Sequence, residues 1–198
     1  MVTVEVIPLR GREIEPYIPS LAELRIVVFR EFPYLYEGDA AYEARYLSHY
    51  AEHPDSLCVI AKDGERVVGA ATGLWLQDAD ADFQSCFRDT PWAEQRFFYF
   101  GESVLLAEYR GQGLGHRFFD EREAHARAVG AEVTGFCAVE RALDHPARPG
   151  DYRDLHAFWR KRGYRHYPEL KVGFNWKEIG QSESSQQTMS FWLRSLVD

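Results

Sequence analysis

The chain has 198 residues, 45% hydrophobic, 27% charged and 15% aromatic, which excludes both a low-complexity and a charge-rich disordered chain. That length suits one domain, able to bury roughly 70% of its unfolded surface without a disulfide or structural metal. With 23 basic and 31 acidic residues the net charge is −8, a poor basis for general nucleic-acid binding and a better one for a cationic partner.

In chain order, Val2–Leu9 alternates apolar and polar residues as a first strand does. Ser20 and Glu23 have capping-box spacing, so an apolar helix is expected to open there and stop before Pro33. Asp39 is positioned to cap a second helix ending before Pro54. Ser56–Lys62 and Arg66–Leu76 read as two strands joined at Asp63-Gly64, a hairpin signal. Residues 78–96 read as an inserted loop with one helical turn. Phe97–Ala107 is the most apolar stretch and is expected to be a central strand. A glycine-rich turn and a helix over 113–129 follow, then a strand at Val133–Val139 and a proline-rich loop from Arg141. Leu155–Arg162 is a short helix ended by Gly163. Lys171–Ile179 and Thr188–Leu196 form a last antiparallel pair across a Ser/Gln-rich connection. The order β-α-α-β-β-β-α-β-α-β-β implies an α/β fold, a mixed sheet with helices on both faces.

No apolar run approaches the ~20 residues of a membrane span, and the first ten residues are not a charged-then-apolar leader. A cytoplasmic protein without membrane attachment is the expectation. Cys58, Cys86 and Cys137 are far apart and form no C-x-x-C, so they read as plain thiols. His49 and His53 share a helix face but lack the Glu of H-E-x-x-H, so no metal site is expected.

The informative segment is Glu108-Tyr-Arg-Gly-Gln-Gly-Leu-Gly-His116, which joins the apolar strand to a helix. Glycines at 111, 113 and 115 allow a tight bend and close approach of a ligand. The unpaired N–H groups and dipole of the helix start favour an anion, so strand, turn and helix make a phosphate cradle. Leu114, Phe118, Phe119, Ala126 and Val129 form the apolar stripe that packs the helix on the sheet. No Lys-Ser or Lys-Thr follows, which excludes a P-loop, and the turn comes too late in the chain for a dinucleotide fold.

The pattern R-x-x-G-x-G, Arg110 to Gly115, resembles the acetyl-CoA pyrophosphate loop of the GNAT family of N-acetyltransferases. The preceding Val104-Leu105-Leu106 run and the downstream Ala157-Phe158-Trp159-Arg160-Lys161-Arg162-Gly163-Tyr164, similar to the family's A-x-x-Y-x-x-x-G-F element, extend the resemblance over most of the chain. It implies a single GNAT domain over 1–198, with insertions at 78–96 and 141–153. It also implies acetyl transfer from acetyl-CoA to a small-molecule or lysine-type amine by direct attack in a ternary complex, and it allows for a homodimer. The alternative class is a non-catalytic acyl-CoA-binding or regulatory module.

By the same resemblance the backbone of Val104, Leu105 and Leu106 would pair with the pantetheine arm. Arg110, Gly111, Gln112, Gly113, Leu114, Gly115 and His116 would surround the pyrophosphate, and Phe158 and Trp159 would complete the CoA site. Glu102, two residues before Val104, stands where the family often carries a basic carboxylate; an apolar strand desolvates it, which suits a base. Trp159 stands where many members carry a proton-donating Tyr, and its indole N–H is too weak an acid, so Tyr152, Tyr164 or solvent would protonate the departing thiolate. Tyr164 also fits the packing aromatic after Gly163, and Tyr152 falls about where the family carries an Asn. Acceptor choice would lie in the Glu31–Asp39 segment, whose aromatic faces and carboxylates suit a cationic amine, and in the Arg141–Arg153 loop.

Overall fold

The computed structural model describes residues 4–197. Its sheet grows from a hairpin of small and β-branched residues, β2 (Leu57–Asp63) and β3 (Arg66–Trp75), turned at Gly64 with φ +57°. β1 (Glu5–Arg10) pairs antiparallel outside β2. A 3-10 turn over Gly11–Tyr17 leads into α1 (Ile18–Phe29). This helix does not open on Ser20: Pro19 occupies its first turn, where a missing N–H costs nothing, and the capping contact forms earlier, from Arg10 N–H to Glu13 Oε2 at 2.8 Å. Asp39 does cap α2 (Ala40–Glu52), accepting from Tyr42 N–H at 2.7 Å. Within 78–96, Asp80 caps the single short helix α3 (Ala81–Ser85).

The expected central strand is two strands, β4 (Phe97–Tyr99) and β5 (Ser103–Leu105), parted at Phe100-Gly101-Glu102. Ala107–Tyr109 is a 3-10 turn, followed by α4 (Leu114–Ala128), β6 (Val133–Val139) and α5 (His156–Lys161). The closing pair is longer than its apolar stretches: β7 (Arg165–Lys177) and β8 (Ser184–Ser195). A bulge between Tyr167 and Lys171 lets β7 begin early. The exposed Ser184–Gln187 belong to the β8 ladder because a partner strand is at hand.

The sheet order is β1-β2-β3-β4-β6-β8-β7, with β5 on β3 alone. α1 packs toward β3 and β5 from one side, while α4 and α5 cover a second cluster of Phe98, Phe100, Phe119, Phe136, Tyr164 and Trp192. The α4 stripe is buried as expected, but Arg122, Glu123 and His125 are buried with it. Among the described residues no helix is long and apolar enough to cross a membrane.

Candidate active site

The break between β4 and β5 is a one-residue bulge. β3 pairs Leu74 with Tyr99 and Trp75 with Phe98, then Ala71 with Ser103 and Ala70 with Val104, so the register slips by one between them. The extra residue lies opposite Thr72, whose carbonyl accepts from Gly101 N–H at 3.2 Å and whose N–H donates to Glu102 O at 3.0 Å. A slip of one reverses the faces that side chains point to. Phe100 packs toward α4, whereas Glu102 turns toward α1 and α2. Gly101 has no room for a side chain, since a Cβ there would lie 2.0 Å from the Tyr50 hydroxyl.

The same break opens the sheet. Phe100 N–H donates to Gly135 O at 2.8 Å as the last rung between β4 and β6. Beyond it β6 runs on to Val139 paired with β8, while β5 pairs with β3. Leu106 N–H and Glu102 O are bonded to β3. By alternation Val104 faces β3 as well, so the backbone groups of Ser103 and Leu105 point to the parted edge.

At the bulge a buried polar cluster gathers. Arg25 of α1 lies between two carboxylates, paired through Nε with Glu43 and 2.6 Å from Glu102 Oε1. Tyr46 donates to Glu102 Oε2 at 2.9 Å and lies 3.0 Å from the Tyr50 hydroxyl, and the Arg25 guanidinium stands over its ring. Glu43 is fully buried. One guanidinium against two carboxylates leaves the trio one negative charge in excess. Burial pushes Tyr46 and Tyr50 upward, and the neighbouring Glu102 adds to it, so both hydroxyls keep their protons at neutral pH.

Past β5 the glycine turn has the shape its sequence implies. Gly111 and Gly113 have φ of +75° and +82°, and a Cβ at either would meet nothing within 4 Å. Gly113 is the N-cap of α4, and His116 N–H to Gly113 O at 3.0 Å is an early backbone bond of the helix, leaving the Leu114 and Gly115 N–H groups ahead of it. Arg110 does not point across the turn: its Nε donates to Leu105 O at 3.0 Å and its Nη1 pairs with Glu31 at 2.8 Å. Gln112 bonds back to Glu108 O. Phe158 of α5 rests on His116, ring centres 4.8 Å apart, so the two expected CoA-site segments are neighbours.

Trp159 packs between Phe136 and Trp192, at 5.0 Å from each. Tyr164 is buried among Phe100, Phe119 and Phe136, and its hydroxyl is engaged by Thr134 at 3.1 Å and Glu123 at 3.2 Å. Burial and Glu123 push it upward, so its position fits packing and not proton donation. Tyr152 lies instead with the two candidate acceptor segments, its ring 4.7 Å from Phe32 and under the Arg148 guanidinium. The two candidate acceptor segments meet: Arg141 donates to Pro33 O at 2.6 Å, to Tyr34 O at 3.1 Å and to Gln187 Oε1 at 2.9 Å, and pairs with Glu178.

Arg25, Glu43, Tyr46, Thr72 and Arg122 were not legible as site residues. The available signal was charge inside an apolar stripe: Arg25 within Leu21–Val28, and Arg122 between Phe119 and Ala126.

No curated protein matches the chain. Among solved structures it is similar to a ribosomal-protein-alanine N-acetyltransferase from Brucella melitensis, at TM-score 0.62 and 14% identity over 96% of this chain and 99% of that one. A Drosophila melanogaster polyamine N-acetyltransferase matches at 0.61 and 11%, over 97% and 100%. The Salmonella typhimurium protein yncA, solved with its cofactor acetyl-CoA, matches at 0.57 and 10%, over 98% and 95%. These likenesses give the same fold, and the model of the acetyltransferase (GNAT) family matches residues 21–164. The chain therefore belongs to the acetyltransferase (GNAT) family.

Proposed function

We propose that this protein is an acetyl-CoA-dependent N-acetyltransferase that acetylates a primary amine by direct attack in a ternary complex. The observation that carries the reading is the bulge at Gly101-Glu102, which puts a buried carboxylate at the head of β5, the strand that leads through one 3-10 turn to the glycine turn. The residues fit acetyl-CoA: open space at two positive-φ glycines, N–H groups at the start of α4, and an edge of β5, at Ser103 and Leu105, that no strand pairs and where Arg110 holds Leu105 O. When bound, acetyl-CoA supplies an acetyl group activated as a thioester.

The cradle from Gly111 to His116 holds the diphosphate, and the outward backbone of Ser103 and Leu105 holds the arm. Val104 and Leu106, whose amides are bonded to β3, line the strand by packing alone. Glu102 takes the proton that the attacking nitrogen releases. A proton there leaves Arg25 balanced against Glu43 and removes the excess charge of the trio. Arg25 and Tyr46 hold the carboxylate in place. Trp159 and Phe158 pack the far wall. Tyr152, joined to Phe32 on the acceptor side, or solvent returns a proton to the thiolate.

The acceptor class is a cationic amine, either a small polyamine-like molecule or a lysine or N-terminal amine of a protein. Support comes from the net charge of −8 and from Phe32 and Tyr152, which pack together where the Glu31–Asp39 and Arg141–Arg153 segments meet. The test measures free CoA thiol from acetyl-CoA on adding polyamines, lysine peptides and peptides with N-terminal alanine. Amine-dependent, saturable release is expected. Calorimetric acetyl-CoA binding with no release above background for any amine would instead establish the non-catalytic binding module.

A further inference from the structure

Resting on that reading, we propose that the Ser103 hydroxyl, held by the buried Arg122, is a hydrogen-bond donor to the sulfur that leaves as the acetyl group is transferred. Arg122 of α4 is 1% exposed and has a cation's charge with no carboxylate within ion-pair distance among the described residues. Burial lowers it to about 10, so it stays charged at neutral pH. Its Nη1 donates to Glu102 O at 3.0 Å and to Thr72 O at 3.3 Å, its Nε donates to Phe118 O at 3.2 Å, and its Nη2 donates to Ser103 Oγ at 2.8 Å. The guanidinium thus clamps both sides of the bulge.

Two consequences follow for Ser103. Its oxygen accepts from a cation, which polarises the O–H bond and directs the remaining hydrogen away from Arg122. Ser103 is also exposed, on the strand whose outward edge is parted from β6. Successive residues point to opposite faces, so Glu102 addresses the α1 and α2 side while Ser103 addresses the α4 side, at Arg122, about two and a half turns along the helix from Gly113. The acceptor proton and the leaving sulfur are therefore served from opposite faces of one bulge.

In the step, the amine nitrogen forms a bond to the carbonyl carbon and its proton passes to Glu102. The C–S bond breaks with its electron pair on sulfur. Ser103 keeps its proton and hydrogen-bonds to the new thiolate, with the charge of Arg122 behind it. Ser103 is then a catalytic residue and Arg122 a positioning residue.

The test titrates product CoA on the protein. The thiol of free CoA, a simple alkyl thiol, titrates above the cysteine value of ~8.5. CoA affinity, by calorimetry between pH 6.5 and 9.5, should rise with pH in the wild type severalfold more than desulfo-CoA affinity does, as a bound thiol lowered by about one unit requires. In Ser103→Ala that excess should vanish, and in Ser103→Thr it should return. Turnover with acetyl-CoA should fall about 10²-fold in Ser103→Ala at unchanged KM for acetyl-CoA. Arg122→Lys keeps the charge, moves the donor, and should lose the same pH-dependent excess. An excess retained in Ser103→Ala, or an equal loss of CoA and desulfo-CoA binding, would overturn the assignment. Absence of amine-dependent turnover in the wild type would sink the enzyme reading instead, and the CoA titration would still decide the role of Ser103.

Discussion

Glu102 is the residue where charge balance and position coincide, and its replacement separates the two. Glu102→Gln keeps the shape and the Tyr46 contact but removes the proposed proton acceptor and the charge facing Arg25. Turnover near pH 7 should drop by about 10²–10⁴-fold with acetyl-CoA affinity little changed; an unaltered pH–rate profile would move the base to an ordered water. Gly113 makes the complementary case on the donor side. At φ +82° a β-branched residue is strained, and the open space a Cβ would enter is that of the proposed cradle. Gly113→Val should abolish acetyl-CoA binding while the protein still unfolds cooperatively, and equal affinity in a folded variant would refute the cradle. Trp159 is packed on Phe136 and Trp192, so Trp159→Phe and Trp159→Tyr should cost comparable stability, of order 1 kcal/mol. A Tyr variant turning over faster than the Phe variant would show that a phenol can act at this position; matched rates would leave Tyr152 or solvent.

Among the elements, the bulged strand decides the site, and Gly101 decides the bulge. A Cβ at Gly101 would meet the Tyr50 hydroxyl at 2.0 Å and Thr72 Oγ1 at 2.7 Å, both fixed in the buried cluster. Gly101→Ala should therefore destabilise by about 1–3 kcal/mol, read by denaturant unfolding, and should lower turnover by displacing the cluster from Glu102. A variant with wild-type stability and rate would mean that the bulge tolerates a side chain. This element also marks how far the sequence could be read. Phe97–Ala107 is apolar throughout, and nothing in hydropathy separates a straight strand from one slipped by a residue at Gly101; the slip is set by pairing with Thr72 on β3. The glycine turn and the start of α4 were legible because glycine spacing and a helix start are local. β2, β3, β6 and the Asp39 cap were legible for the same reason. Arg25 and Arg122 were not, because their partners lie 18 to 77 positions away along the chain or on backbone carbonyls that any residue could supply.

Across the whole molecule, the proposed acceptor side is assembled from segments distant in sequence, and Arg141 is their common fastener. From the end of β6 it reaches Pro33 and Tyr34 between α1 and α2, Glu178 in the turn after β7, and Gln187 on β8. Trp176 of β7 adds a bond from its indole N–H to Tyr34 O at 3.0 Å, and Glu37 N–H donates to Lys177 O at 2.8 Å, so the segment after α1 is sewn to the far edge of the sheet. None of these contacts involves the glycine turn or the start of α4. Arg141→Met preserves much of the buried stem while removing the guanidinium donors and leaving Glu178 without its partner. KM for the amine should then rise, by about tenfold for the loss of ordered contacts worth 1–2 kcal/mol, while calorimetric acetyl-CoA affinity stays within about twofold. A parallel loss of acetyl-CoA binding would mean that the two sides are coupled, through the sheet or through the Arg110–Glu31 pair, and an unchanged amine KM would remove the Glu31–Asp39 and Arg141–Arg153 segments from the acceptor site.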